Sequence, residues 1–193
     1  MQQITSLQNP LVKYLFTLTQ KSKQRKEHQQ FLIEGKREIT LALQAGYLIE
    51  QLFICPAILS EAEVERFFAG YKYTAISAEV YEKLSYRSST EGILALAQCK
   101  DHALSGSVFQ KAHPLVLVAE APEKPGNIGA LLRTADAAGI DAVYIANPKT
   151  DLYNPNIIRS SVGTVFTVPI FMGSSEDIRS HLQQQGFAIY CAA

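Results

Sequence analysis

The sequence predicts an α/β protein in two parts: a small α/β N-terminal half, then a C-terminal half built on a Rossmann-like parallel sheet. Three observations carry this. Strand-like and helix-like segments alternate through both halves, the pattern of crossovers that layer helices on a sheet. A polar stretch from Cys99 to Pro114, containing Ser105-Gly106-Ser107, interrupts the apolar pattern. On either side lie short apolar runs, GILALAQ at 92–98 and LVLVA at 115–119, which suit strands buried on both faces. The expected division is 1–99, a linker over 100–113, and 114–193.

In the first half, Asn9 is placed to cap a helix with Pro10 at its first position, and Leu11, Leu15 and Leu18 recur at helical spacing. Gln30 to Ile33 reads as a strand. Lys36 to Ala45 reads as a helix with Ile39, Ala42 and Leu43 inward and Gly46 as its stop. A strand from Leu48 to Ile54, a helix from Glu61 to Phe68 and a strand from Tyr71 to Ile76 follow. Ser77 caps a short helix to Leu84, and Gly92 to Gln98 is a buried strand. In the second half, Leu115 to Ala119 is a buried strand and Asn127 to Ala138 a helix stopped by Gly139. Asp141 to Ala146 is a strand, Asn154 to Ser161 a short helix, and Val165 to Phe171 a strand with Pro169 near an edge. Ser175 to Gln185 is a helix stopped by Gly186, and Phe187 to Cys191 begins a fourth strand. The sequence ends at Ala193, where an open parallel sheet places its ligand-binding loop. The expectation is a chain cut short of that loop, or a naturally short one.

Composition narrows the function classes. The 193 residues are 47% hydrophobic and 19% charged, a globular balance. No apolar run approaches the roughly 18 residues of a membrane span, and Lys13 breaks the N-terminal apolar stretch, against a signal peptide. Cys55, Cys99 and Cys191 lie far apart with no CxxC spacing, which points to reduced thiols in a cytoplasmic protein. His28, His102, His113 and His181 form no ligand-spaced cluster, so no metal site is expected. The net charge of zero hides a basic start: Lys13, Lys21, Lys23, Arg25 and Lys26 face only Glu27 in the first thirty residues. Such a segment suits a phosphate backbone. It also suits a solvated helix end.

The segment with most chemical content is Pro122 to Gly139, PEKPGNIGALLRTADAAG. Pro125 and Gly126 read as a tight turn, with Asn127 as a helix cap whose first-turn amides suit an anion. Ile128, Leu131, Leu132 and Ala135 form the core stripe. Gly129, Arg133 and Asp136 share another face. Gly129 leaves room for a ligand backbone, and Arg133 presents an always-charged fork suited to phosphate. The competing reading pairs Arg133 with Asp136 on a solvated face and gives the glycines turn and packing roles. A dinucleotide fingerprint does not fit, because the glycines supply only part of GxGxxG and Asn147 stands where a ribose-binding acid belongs. A second cluster, NPNIIRSSVGTVFTVP from Asn154 to Pro169, places Asn156 as a cap and Arg159, Ser160 and Ser161 in a last turn closed by Gly163. It reads either as a helix end whose Arg meets terminal carbonyls or as a second cationic and hydroxyl contact.

Together these segments resemble the SpoU family of RNA 2'-O-ribose methyltransferases, within the knotted class of S-adenosylmethionine enzymes. Asn127, Gly129 and Arg133, continued by Thr134-Ala135-Asp136 and Gly139, are similar to the family's first motif. Arg159-Ser160-Ser161-Val162-Gly163 with Phe166 and Pro169 is similar to its next block. Ser6-Leu7-Gln8-Asn9-Pro10, Phe31-Leu32-Ile33-Glu34-Gly35 and Thr90-Glu91-Gly92-Ile93 resemble the family's substrate-binding domain, itself similar to ribosomal protein L30e. The family's Gly- and Glu-containing loop and its Ser-Leu-Asn segment, which complete the knot and cofactor pocket, have no counterpart up to Ala193.

The resemblance implies transfer of a sulfonium methyl group to a ribose 2'-hydroxyl, with ribosomal RNA as substrate and a homodimer as the working form. It implies Arg133 and Asn127 as catalytic residues. An arginine with a pKa above about 12 is a poor proton acceptor, so Arg133 is expected to fix the neighbouring phosphate and stabilise developing alkoxide charge. Asn127 would orient Arg133 or the ribose. Lys21, Lys23, Arg25, Lys26, Arg37, Arg159 and Ser161 are the expected RNA contacts. The S-adenosylmethionine residues are expected beyond Ala193, beginning near Ala192. Two other readings stand beside this one. A non-catalytic RNA-binding module would bind RNA with salt sensitivity and transfer no methyl group. A nucleotide-binding α/β enzyme of another class would bind free nucleotide without RNA.

Overall fold

The computed structural model describes residues 3–86, 91–107, 109 and 111–192. Thr90 and Ala193 lie outside the described residues. The first sheet joins β1 (Gln3–Ile4), β2 (Gln30–Glu34), β3 (Ile49–Ile54), β4 (Tyr73–Ile76) and β5 (Ile93–Gln98) in the order β1-β4-β3-β5-β2. It is mixed: β4 runs parallel to β1 and β3, and β5 runs antiparallel to β2 and β3. The helices are α1 (Pro10–Gln20), α2 (Ser22–His28), α3 (Lys36–Gln44), α4 (Glu61–Phe68) and α5 (Ala78–Leu84). Local chemistry sets their starts. The Asn9 side chain accepts from the Leu11 amide at 2.9 Å with Pro10 behind it. Ser60 and Glu63 form a capping box, and Ser77 accepts from the Val80 amide.

Alternation along the strands sorts two faces. Leu32, Phe53, Leu94 and Leu96 pack against Val12, Leu15 and Leu18 of α1 and Val80 and Leu84 of α5. Phe31, Ile33, Leu52, Ile54, Ile93, Ala95 and Ala97 face the other way, against α3, α4 and the second half of the chain.

That second half contains β6 (Val116–Glu120), β7 (Ala142–Ala146) and β8 (Ile170–Gly173), parallel and in chain order. Between them lie α6 (Pro125–Ala137), α7 (Pro155–Ser161) and α8 (Thr164–Thr167), followed by α9 (Ser175–Gln184). Central β7 is buried at every position. One face of this sheet packs on α9 through Tyr144, Ile178 and Leu182. The other face, through Val143 and Ile145, shares a single core with α6, α7, α8 and the first sheet. The resulting layers are helix, sheet, helix, sheet, helix. Among the described residues no helix is long and apolar enough to cross a membrane.

Several expectations need correction. The expected Val165–Phe171 strand is split: Gly163 and Val162 take left-handed backbone, a helical turn covers Thr164–Thr167, and the strand begins only after Pro169. The LVLVA strand is shifted by one residue and is not buried, because β6 is an edge strand with Val118 41% exposed and Leu115 60% exposed. Phe187 to Cys191 forms no strand, since none of the described residues pairs with it, and Tyr190 is exposed. Asn154, not Asn156, caps α7, its side chain accepting from the Asn156 amide at 2.9 Å. Helix α6 starts at Pro125, so Asn127 lies inside its first turn and Pro125-Gly126 is helix rather than a preceding turn. The two-residue β1 was not anticipated.

Candidate functional site

The packing of α6 on α7 fixes the surroundings of Arg133. Gly129 on α6 is buried, and a Cβ there would lie 2.0 Å from Ser160 Oγ and 2.7 Å from the Ser160 carbonyl carbon. The backbone that approaches this glycine is therefore α7, not a ligand, which corrects the first expectation for Gly129 and supports its packing role. Close approach lets the Arg133 guanidinium, four residues along α6, donate through Nη1 to the Ser160 carbonyl at the end of α7. Its remaining donors face solvent, and among the described residues it forms no ion pair with Asp136. Asn127 is exposed, and its side chain makes no hydrogen bond among the described residues. Six residues separate it from Arg133, so the two project roughly 120° apart around the helix axis.

Arg159, next to Ser160, is exposed, with its guanidinium 5.4 Å from the centre of the Tyr86 ring. Arg159 and Tyr86 border a hollow of about 280 Å³ between the two halves of the chain. Glu34, Gly35, Arg37, Glu38 and Glu91 line its N-terminal side, and Pro155, Ile158 and Val162 the α7 side. The fold thus brings Arg37, Arg159 and, through Ser160, Arg133 toward one end of α7. Tyr86 and Glu38 join them. Sequence reasoning missed both; a tyrosine outside any apolar stripe is the sequence signal for the first.

Two expected RNA contacts are structural instead. Arg25 is 2% exposed. Its Nε pairs with Asp151 and its Nη1 donates to the Leu18 carbonyl, so it ties the first half of the chain to the second. Ser161 is buried, and its hydroxyl donates to the Ile158 carbonyl at 2.9 Å. Neither is free to meet a ligand. Lys21, Lys23 and Lys26 are exposed on or beside α2, away from the Tyr86 hollow; Lys23 pairs with Glu27, and Lys26 lines a second, more open hollow with Lys100 and Lys149. Cys99 lines that hollow too, but burial, reinforced by Asp151 and opposed by Arg25, pushes its thiol up to about 12. It is no nucleophile at neutral pH.

The carboxyl ends of the parallel strands hold a polar cluster. Asn147 donates to Glu120 at 2.9 Å and to Ser175 at 2.7 Å, and Ser175 donates to Glu120. Those bonds, first from Ser175 and then from Asn147, hold the Glu120 carboxyl below its ordinary value. Ala121 and Asn147 both take left-handed backbone here. A nucleoside cofactor needs an apolar slot and free acceptors for ribose hydroxyls. Here both Glu120 oxygens already accept from Asn147 and Ser175, and these residues alone do not fit such a group.

Comparison with known proteins accounts for both halves. Residues 9–95 match the MRM3-like substrate binding domain, and residues 114–193 match the SpoU rRNA Methylase family. A crystal structure of an RNA 2'-O ribose methyltransferase is 39% identical, with a TM-score of 0.81 over 96% of this chain and 70% of that one. An AdoMet-bound rRNA methyltransferase from Sinorhizobium meliloti is 26% identical, with a TM-score of 0.79 over 94% of this chain and 68% of that one. The 23S rRNA (guanosine(2553)-2'-O)-methyltransferase RlmP of Bacillus subtilis is 27% identical over the whole of this chain and 74% of its own length. With its motifs carried on α6 and α7 and its fold shared with these enzymes, the chain belongs to the SpoU rRNA methylase family.

Proposed function

We propose that this protein methylates the 2'-hydroxyl of a ribose in ribosomal RNA, with S-adenosylmethionine as donor. The observation that carries the reading is the exposed Arg133 fork, anchored by one nitrogen to the end of α7 and open at the others, beside Arg159. An anchored guanidinium holds its geometry while its free donors meet a phosphate or a developing alkoxide. The N-terminal part selects the RNA, and the C-terminal part carries the chemistry. Asn127, about one and two-thirds turns away on α6, is proposed to contact the ribose rather than to orient Arg133. The cofactor supplies an electrophilic methyl group; no residue described here is assigned to it. The working form is proposed to be a cytoplasmic homodimer, by analogy with the family. Names of relatives such as RlmP favour catalysis over a pure binding module.

Replacing Arg133 with Ala is expected to lower methyl transfer by about a hundredfold or more, with far-ultraviolet circular dichroism unchanged. Transfer of labelled methyl from S-adenosylmethionine to ribosomal RNA measures it. Activity within a few-fold of the parent removes Arg133 from the mechanism.

A further inference from the structure

The hollow between β2, α3 and α7 differs from a simple phosphate site. Its two arginines, Arg37 and Arg159, are exposed, whereas Glu34 and Glu38 are half buried. Cations at the rim with carboxylates further in suit a ligand that is anionic outside and carries N–H donors inside. A nucleotide has that polarity, with phosphate on one end and the amino edge of a base on the other.

The carboxylates are not equivalent. Glu34 accepts from the Tyr86 amide at 2.7 Å, and Glu91 accepts from the Lys36 amide. Those bonds shape the wall. Glu38 has no hydrogen bond or ion pair among the described residues. Its Oε2 occupies the space beside Gly35, where a Cβ would come within 2.6 Å of it. Gly35 has φ of +102°, so the same residue that turns the chain leaves room for the carboxylate. An acceptor without a donor among the described residues, in a partly enclosed site, is one a ligand donor can complete.

An aromatic ring borders the opening. Tyr86 is 49% exposed and lies against Arg159. A ring set against a cation can stack an unpaired base while the cation meets its backbone. At about 280 Å³ the hollow sits at the small end of ligand sites, ~300 Å³ upward, and suits one base rather than a helix.

We infer that this hollow is a nucleobase pocket in which Glu38 accepts hydrogen bonds from the amino edge of a guanine in single-stranded RNA, while Tyr86 and Arg159 stack on its face. Guanine is the base whose pairing edge offers two adjacent N–H donors to the two oxygens of a carboxylate. The inference rests on the proposal that the protein acts on RNA and adds a base preference to it.

The test is fluorescence anisotropy with the intact chain and short labelled RNA oligomers: all uridine, or uridine with one central guanosine or inosine. The guanosine oligomer should bind about tenfold more tightly than the all-uridine one. Inosine, which lacks the 2-amino group, should fall between. Glu38→Gln should abolish the guanosine preference while its thermal melt stays that of the parent. Tyr86→Leu should weaken every oligomer and leave the preference in place. Equal binding of all three oligomers, or a preference that survives Glu38→Gln, overturns the pocket while RNA binding stands. Failure to bind any oligomer at low salt overturns the RNA-facing surface and the pocket with it.

Discussion

Arg25 and Lys26 are neighbours in sequence and opposites in fate. Lys26 stays in solvent, while Arg25 is buried with its charge matched by Asp151 and its spare donor by a carbonyl. Residue type alone does not separate them; the helical rotation between adjacent positions does. The same holds for Arg159 and Ser161, two residues apart on α7, the first exposed and the second sealed. His102 shows what burial does to a titrating group. Its Nδ1 faces the Ile170 carbonyl at 2.9 Å, which can only accept, so Nδ1 carries the proton. Nε2 then accepts from the Tyr153 hydroxyl, also at 2.9 Å. Protonating Nε2 would break that bond, and burial, the largest effect, lowers the His102 pKa below 6.5. Because the unfolded chain binds this proton more readily, the associated stability is present above about pH 6.5 and is lost as pH falls from there through the folded value. Urea midpoints at pH about 7.5 and about 5.5 should therefore differ, and His102→Gln should remove most of the difference. Glu63, Glu120 and Asp141, whose pKa values are lowered from 4.5, 4.5 and 3.8, add their own losses only in more acid solution.

Among the elements, the contact of α6 with α7 positions the site. Gly129 lets two helices meet where any larger residue would strike Ser160, and that approach brings Arg133 within reach of the α7 end. Gly129→Ala should destabilise the fold by about 1–3 kcal/mol, the range for overpacked contacts, and should lower methyl transfer further by displacing Arg133. Thermal melting and labelled-methyl transfer report the two effects separately. A variant as stable and active as the parent would show that α7 shifts at no cost. Most element identities were legible in sequence because capping residues and apolar periods agree, as at Asn9 and Ser77; at α7 the cap is Asn154 rather than the expected Asn156. One exception shows the limit. The run from Val165 to Phe171 is apolar but for Thr167, so it carries no clear period, and the left-handed turn at Val162-Gly163 decides that it begins as helix.

For the molecule as a whole, the apolar faces of both halves merge. Phe31 of the first half stacks on Tyr153 of the second at 4.1 Å, and Tyr47 meets Phe166 edge-on at 5.1 Å. Arg25 and Asp151 close the same junction, 3% and 8% exposed at their side chains. Asp151→Ala leaves a guanidinium buried without its counter-charge and should cost about 3–5 kcal/mol. It should do so in a single transition for both halves, seen as one calorimetric peak whose van't Hoff and calorimetric enthalpies agree. Two resolved peaks in the parent protein would show that the halves unfold independently. The candidate site lies across this junction, with Arg37, Glu38 and Tyr86 on one side and Arg133 and Arg159 on the other.

By itself the sequence determined the class of fold, the family motifs and most helix starts, because these rest on periodicity, capping chemistry and short spacings, all local in the chain. It also marked Arg133, Arg159 and Arg37 as candidates. Only the tertiary structure decided which charges remain available. Arg25 went to Asp151, 126 residues away, and Glu38, which lines the same hollow as a ring 48 residues further on, has no partner among the described residues. The reason is that a charge is spent or kept by what packs against it, and packing joins residues that no local pattern relates.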